Sequence, residues 1–363
     1  MIATAPGKLI LTGEYAVLEG APALVAAVDR RVIARRRTGP AGSSPFLVAV
    51  ANELARRYGA DHPATIAAME IVVDSRAFFV GALKIGIGSS AAVTVAATAL
   101  ALSSDAVPTI DRDTVMSIAM AAHGSAQSSR RRDSDSGAHM IVAPRPRAPT
   151  GDILISTTSR DSQNPMAVGS SAASSPTRGS GADIAAAVHG GVIVFEGGAV
   201  TRVAWPSGLR FIPFFTGESA DTADLITRVM AARVGNPAGV DAALAAIAKA
   251  SRAACQACES KTPEIAANAL IAALQLAAIA TDQLAAAAAL PLVPACVTVA
   301  RKALASVGGT AKTTGAGGGD VAVAVIPATE DVTVAERLLI EAGCRPLGLS
   351  LDTTGVDLQP DAQ

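Results

Sequence analysis

The sequence predicts an α+β fold in two domains. The chain has 363 residues, more than one ordinary hydrophobic core accommodates. Strand-like and helix-like stretches mix without a regular βαβα alternation, which argues against a doubly wound parallel sheet. Half of the residues are hydrophobic but only 3% are aromatic, so alanine, valine and leucine must build the core.

The elements follow in order. LILTGEYAVLEG reads as a strand closed by a turn at Gly20, and ALVAAVDRRVIARRR as one long strand or a strand pair. Residues 46–58 have helical spacing, and 69–74 and 78–85 read as strands. Residues 89–102 form a helix apolar on nearly every side and therefore buried. A further helix spans 111–127, with Asp111 as its N-cap. From 130 to 177 the texture changes to nine serines and five prolines in 48 residues without a sustained period. That composition predicts a disordered insertion, because little apolar surface is available to offset ordering entropy. GADIAAAVHGGVIVFEGGAV reads as a short helix and then a hairpin turning at Gly197 and Gly198. Next come a strand over 209–217 and helices over 220–234, 238–260, 263–289 and 293–307. A strand at 321–327, a helix at 330–343 and a closing strand at 344–352 complete the chain, with no internal repeat.

Charge and cysteine usage narrow the function classes. A formal net charge of −1 offers no global field for nucleic acid or an acidic membrane. Cys255, Cys258, Cys296 and Cys344 form no dense framework, as in a reducing cytosol. Cys255 and Cys258 make a CxxC inside a helical pattern, but a second pair is missing for a zinc site. No basic segment leads into an apolar core near Met1, so no signal peptide is expected. The apolar region 265–300 is broken by Gln275, Asp282, Gln283, Pro291 and Pro294, and reads as two buried helices rather than a membrane span. A cytoplasmic protein is expected.

Three glycine-rich loops carry the functional signal. In KIGIGSSAAVTVAATAL, Gly86 and Gly88 let backbone approach a ligand, and a helix begins at Ser89. Unpaired N–H groups and the helix dipole make such a start a phosphate site, to which Ser89 and Ser90 add hydroxyls. It is neither a Walker loop, lacking GK[ST], nor a Rossmann fingerprint, since Ala91 stands at the third glycine position. In APGKLILTGEY, Lys8 enters an apolar strand, where it is either a solvated edge lysine or the partner of an anion. In KTTGAGGGDVAVAV, the glycines mark close backbone approach or a loose hairpin tip.

Together these stretches resemble the GHMP kinase family, named for galactokinase, homoserine kinase, mevalonate kinase and phosphomevalonate kinase. APGKLILTGEYAVLEG resembles its first motif, IGIGSSAA its second with Ile87 in place of leucine, and KTTGAGGGD its third. RGSGADIAAAVHGG resembles the segment that carries the catalytic aspartate. Within the family, GEYAV, TGESADT at 216–222 and AHGSAQSS at 122–129 resemble the phosphomevalonate kinase branch. In that branch the last of these runs straight into GSGAD, whereas here 130–177 intervenes. The mevalonate kinase branch has a glutamate eleven residues before the aspartate; without the insertion Gly124 stands there, so no second magnesium ligand is placed.

The resemblance implies domains at 1–204 and 205–363, meeting near Trp205, with the active site in the interdomain cleft. It implies ATP and Mg2+ as cofactors and (R)-5-phosphomevalonate as the small-molecule substrate, converted to 5-diphosphomevalonate by a monomer or homodimer. Gly86, Ile87, Gly88, Ser89, Ser90 and Ala91 would hold the ATP phosphates, with Ser90 also meeting the metal. Lys8 and Asp183 would be catalytic. Glu14, Tyr15, Ser180, Gly181, Gly315, Ala316, Gly317 and Gly318 would form the substrate side. His123, His189, Arg202 and Arg210 read as packing or surface residues. Two alternatives stand beside this reading: a mevalonate kinase with a hydroxyl acceptor, or an inactive relative that binds ATP or a metabolite. For the insertion three readings stand: a surface excursion, a lid whose arginines meet anions, or a stretch absent from the functional protein.

Overall fold

Two long neighbouring strands, β1 (Ile2–Thr12) and β2 (Ala23–Arg36), organise the first sheet. The computed structural model describes residues 1–37, 44–81, 83–103, 109–135 and 179–361. β2 is long enough to pair β3 (Ile71–Asp74) at its far end and β6 (Val192–Glu196) at its near end. β7 (Ala199–Val203) and β12 (Asp357–Gln359) complete the order β12-β1-β2-β6-β7, all pairs antiparallel. The β6–β7 turn falls at Gly197 and Gly198, both with positive φ, as the sequence predicts. The APGK stretch is not a loop: it lies within β1, whose register with β2 shifts between Pro6 and Gly7. Proline brings no N–H to the ladder, and a bulge absorbs the irregularity.

α3 (Ser89–Leu102) packs on β1 and β2, and every residue but Ser90 and Leu102 is buried. Its alanines allow that close approach. The hydroxyls of Thr94 and Thr98 are satisfied within the helix by the carbonyls of Ser90 and Thr94, both at 2.8 Å. α1 (Pro45–Tyr58), α2 (Pro63–Met69) and α5 (Ala182–His189) surround α3. α2 has only seven residues, too few for a hydrophobic period to register; His62 caps it by accepting from Ala64 N at 3.2 Å. The strand expected at 78–85 is instead a minimal hairpin, β4 (Phe79–Val80) and β5 (Leu83–Lys84), reversed at Gly81 with φ +62°. α4 (Arg112–Asp135) starts at Asp111, which accepts from Asp113 N at 3.1 Å and Thr114 N at 3.3 Å. Its helical backbone continues past 127, so 130–135 are not structureless. The polar run SSRRRDSD supplies no apolar face, which is why the periodicity stops earlier. The remainder of the expected insertion lies outside the described residues.

The second sheet has the order β11-β8-β10-β9, from β8 (Leu209–Phe215), β9 (Thr310–Thr313), β10 (Val321–Pro327) and β11 (Arg345–Pro346). α9 (Ala295–Leu304) and α10 (Val332–Glu341) pack with it, as does α8 (Pro263–Ala288). α6 (Thr222–Gly235) and α7 (Pro237–Glu259) complete the helices, α7 lying along α8. By length and composition alone α8 could cross a bilayer, but 56% of its most apolar window is buried in the protein. The closing strand expected at 344–352 is reduced to β11. The chain then returns to the first sheet, where Leu351 bridges Val28 and β12 pairs β1. Arg31 fixes this return by an ion pair to Asp352 and a 2.6 Å hydrogen bond to Gly355 O.

Met1–Ala126 and Gly179–Gln363 form one compact unit; 127–178 group apart, and of them only the end of α4 is described. A single hydrophobic cluster joins Leu9, Leu24 and Leu100 around the first sheet with Phe215, Val323 and Leu270 around the second.

Candidate active site

Lys8 is the centre of the site. It sits on β1 just past the register shift, and its N–H donates to Ile87 O at 2.8 Å. That bond lays the second glycine stretch along the first. Gly7 is required for it: a Cβ there would come within 2.9 Å of Ile87 O. The Lys8 stem then crosses Gly88, where a Cβ would lie 2.9 Å from Cε and 3.0 Å from Cγ. Gly88 is also the N-cap of α3, in a left-handed conformation with φ +80° and no side-chain cap. The helix start therefore carries N–H groups and positive dipole beside a lysine, an arrangement suited to an anion.

Two carboxylates act on the Lys8 ammonium, Asp183 and Asp320. Burial pushes the Lys8 pKa down, and both aspartates oppose that shift. Asp183 lies in the first turn of α5, which opens after Gly181 at φ +88°; its Oδ1 accepts from Ile184 N at 3.0 Å. Ser180 Oγ accepts from Ala182 N at 3.3 Å, so this serine supports the same turn. Asp320 ends the third glycine stretch and reaches Gly86, where a Cβ would come within 2.8 Å of its Cγ. Burial raises the Asp320 pKa, against the pull of Ser219, Lys8 and Lys84.

The remaining expected residues fall into two groups. Glu14 is fully buried and ion-paired to Lys312 of β9, whose Nζ also donates to Thr313 O at 2.6 Å. Burial raises the Glu14 pKa, and Lys312 counters it. The Tyr15 hydroxyl donates to Ala316 O at 2.7 Å. Both residues therefore tie the first motif to the third. Gly318 N donates to Leu292 O at 2.7 Å, and a Cβ on Gly318 would meet Leu225 of α6. Gly315 has open space around it. Ser89 is buried, and Ser90 Oγ shares a 3.1 Å hydrogen bond with His123 Nε2. His123 is itself buried and stacked on Phe46 at 5.3 Å. Arg202 donates to Thr353 O at 3.0 Å, holding the returning chain, and Arg210 lies exposed on β8.

Asp320 and Lys312 belong to the site and received no role from the sequence. Both stood in the quoted KTTGAGGGD, but their partners Lys8 and Glu14 lie some three hundred positions away, and no local pattern encodes such a pairing.

No family model and no curated protein matches the sequence. Solved structures match the fold over nearly the whole chain. A Lin0012 protein from Listeria innocua aligns with TM-score 0.72 at 18% identity, covering 99% of this chain and 100% of that one. Streptococcus pneumoniae phosphomevalonate kinase, in complex with phosphomevalonate and AMPPNP, aligns with TM-score 0.67 at 14% identity, covering 97% and 99%. The L. major mevalonate kinase bound to R-mevalonate aligns with TM-score 0.57 at 16% identity, covering 97% and 96%. The class is thus defined: this chain has the GHMP kinase fold. Within that fold the second glycine stretch lies along Lys8 of the first, and Asp320 at the end of the third reaches Gly86.

Proposed function

We infer that the chain is an ATP-dependent small-molecule kinase that converts (R)-5-phosphomevalonate to 5-diphosphomevalonate. The observation that carries this is the convergence on Lys8: Ile87 along its backbone and Gly88 along its stem, with the charges of Asp183 and Asp320 favouring its protonated form. Phosphoryl transfer needs positioning and charge neutralisation more than covalent chemistry, and this cluster supplies both. The start of α3, where the Gly88 N-cap makes no side-chain hydrogen bond and Lys8 lies alongside, would hold a triphosphate. Ser90, whose hydroxyl also meets His123, would contact Mg2+; no group of three acidic or histidine ligands occurs among the described residues, so phosphate and water oxygens would complete the shell. When bound, the metal supplies charge neutralisation between the phosphates.

In the reaction an acceptor oxygen bonds to the γ-phosphorus, the bond to the β–γ bridging oxygen breaks, and ADP leaves with that electron pair. Lys8 stabilises the charge that builds on the transferred group. Asp183 orients Lys8 and the acceptor. A phosphate acceptor, with a second pKa of about 6, is already ionised and needs no base. A hydroxyl acceptor would instead use Asp183 as a base.

The test is a coupled ADP-release assay with ATP and Mg2+, comparing mevalonate and 5-phosphomevalonate. Turnover with phosphomevalonate alone is expected, and turnover with mevalonate alone would move the protein to the neighbouring specificity. Asp183→Asn should lower kcat by about 10²-fold or more through lost positioning while ATP binding survives. An unchanged kcat would remove Asp183 from the mechanism.

A further inference from the structure

Asp320 has a positive φ in a loop whose other positive-φ residues, Gly315, Gly317, Gly318 and Gly319, are all glycine. Its φ of +54° is left-handed, which side-chain-bearing residues seldom adopt. The backbone is gripped from both sides: its N–H donates to Glu218 O at 2.7 Å, and its carbonyl accepts from Thr216 N at 2.9 Å and Thr216 Oγ1 at 3.1 Å. Backbone held in a disfavoured conformation fixes where the side chain goes. Here the carboxylate goes over Gly86, with Oδ1 accepting from the Ser219 hydroxyl at 3.4 Å. Gly88, two residues on, is crossed by the Lys8 stem. The two glycines of one short segment thus make room for an acid and a lysine from opposite ends of the chain.

We propose that Asp320, seated over Gly86, is a positioning residue for Lys8, holding its stem over Gly88 at the start of α3. The turn between β9 and β10 thereby contributes a charge to a site otherwise built on the first sheet. With Asp183 alone the flexible stem could swing toward solvent. With both acids it is bracketed, and Lys84 offsets part of the added negative charge. What Lys8 does for catalysis rests on the kinase reading; the Asp320–Lys8 relation does not.

The test separates the two. Trace acetylation of the full-length, ligand-free protein with acetic anhydride at pH 8, read by peptide mass spectrometry, reports Lys8 reactivity against the exposed Lys302. Asp320→Asn removes a charge that favours the protonated amine, so Lys8 should acetylate at least threefold faster, and Asp320→Glu should restore slower labelling. In the phosphotransfer assay Asp320→Asn should lower kcat at least tenfold with the ATP KM within threefold of wild type. Unchanged Lys8 labelling in Asp320→Asn overturns the proposal whatever the kinetics. If wild type phosphorylates neither acceptor but labelling shifts as expected, the kinase reading fails and the positioning role stands. If Asp320→Asn does not fold, Asp320→Gly, which suits the left-handed backbone and also removes the carboxylate, should accelerate Lys8 labelling in the same direction. No change there overturns the proposal.

Discussion

Individual residues in this protein act mostly through partners far away in sequence. Glu14 and Lys312 show this well. A carboxylate and an ammonium with about 1% exposure or less are stable in the interior only as a pair. Removing one leaves the other charged and buried. Glu14→Gln and Lys312→Met should each destabilise by about 3–5 kcal/mol, and the double variant by clearly less than the sum. Urea denaturation followed by Trp205 fluorescence measures this; additive losses would mean the two groups do not act on each other. The same pair shows what the sequence could reveal. GEY and KTTG were legible as separate motifs, whereas the salt bridge between them was not. Pairing across some three hundred residues is a property of topology, and neither motif changes composition to announce it.

At the scale of elements, legibility followed length and amphipathicity. α3 and α7 to α10 were readable because long apolar periods left little choice. α2, the β4–β5 hairpin and β12 were not, because two to seven residues hold no period. The first glycine stretch misled in an instructive way: Pro-Gly-Lys suggests a loop, and a strand with a register shift satisfies the same residues. α7 carries the one motif that resembles a metal or redox site, and its chemistry argues otherwise. Burial pushes the Cys255 thiol up to about 11 and the Cys258 thiol up to about 12. At pH 8 the thiolate fraction is then on the order of 10⁻³ or below, too little for reactivity. Iodoacetamide at pH 8 should leave Cys255 and Cys258 unmodified in the native protein and alkylate both in urea, as read by peptide mass spectrometry. Labelling at the unfolded rate under native conditions would show α7 to be loosely packed.

Across the whole molecule, the two sheets share one hydrophobic cluster, and the chain crosses between them at Trp205, whose Nε1 donates to Leu209 O at 3.0 Å and whose ring meets Phe211 edge-on at 5.7 Å. The composition foretold the alanine-rich character of that core but not that a single cluster would span both sheets. Trp205 is the sole tryptophan, so it reports on the junction itself. Urea unfolding followed by its fluorescence and by far-UV circular dichroism should superimpose in one transition. Two separated transitions would show that the halves of the chain unfold independently. The return of β12 to β1 has a further consequence for how the molecule is made. During synthesis β1 emerges from the ribosome about 350 residues before β12, the strand that covers its edge. At ~10 residues per second, that edge waits roughly half a minute with open hydrogen-bonding groups. A nascent chain in that interval is a substrate for chaperones and for strand-to-strand association with its neighbours on the polysome.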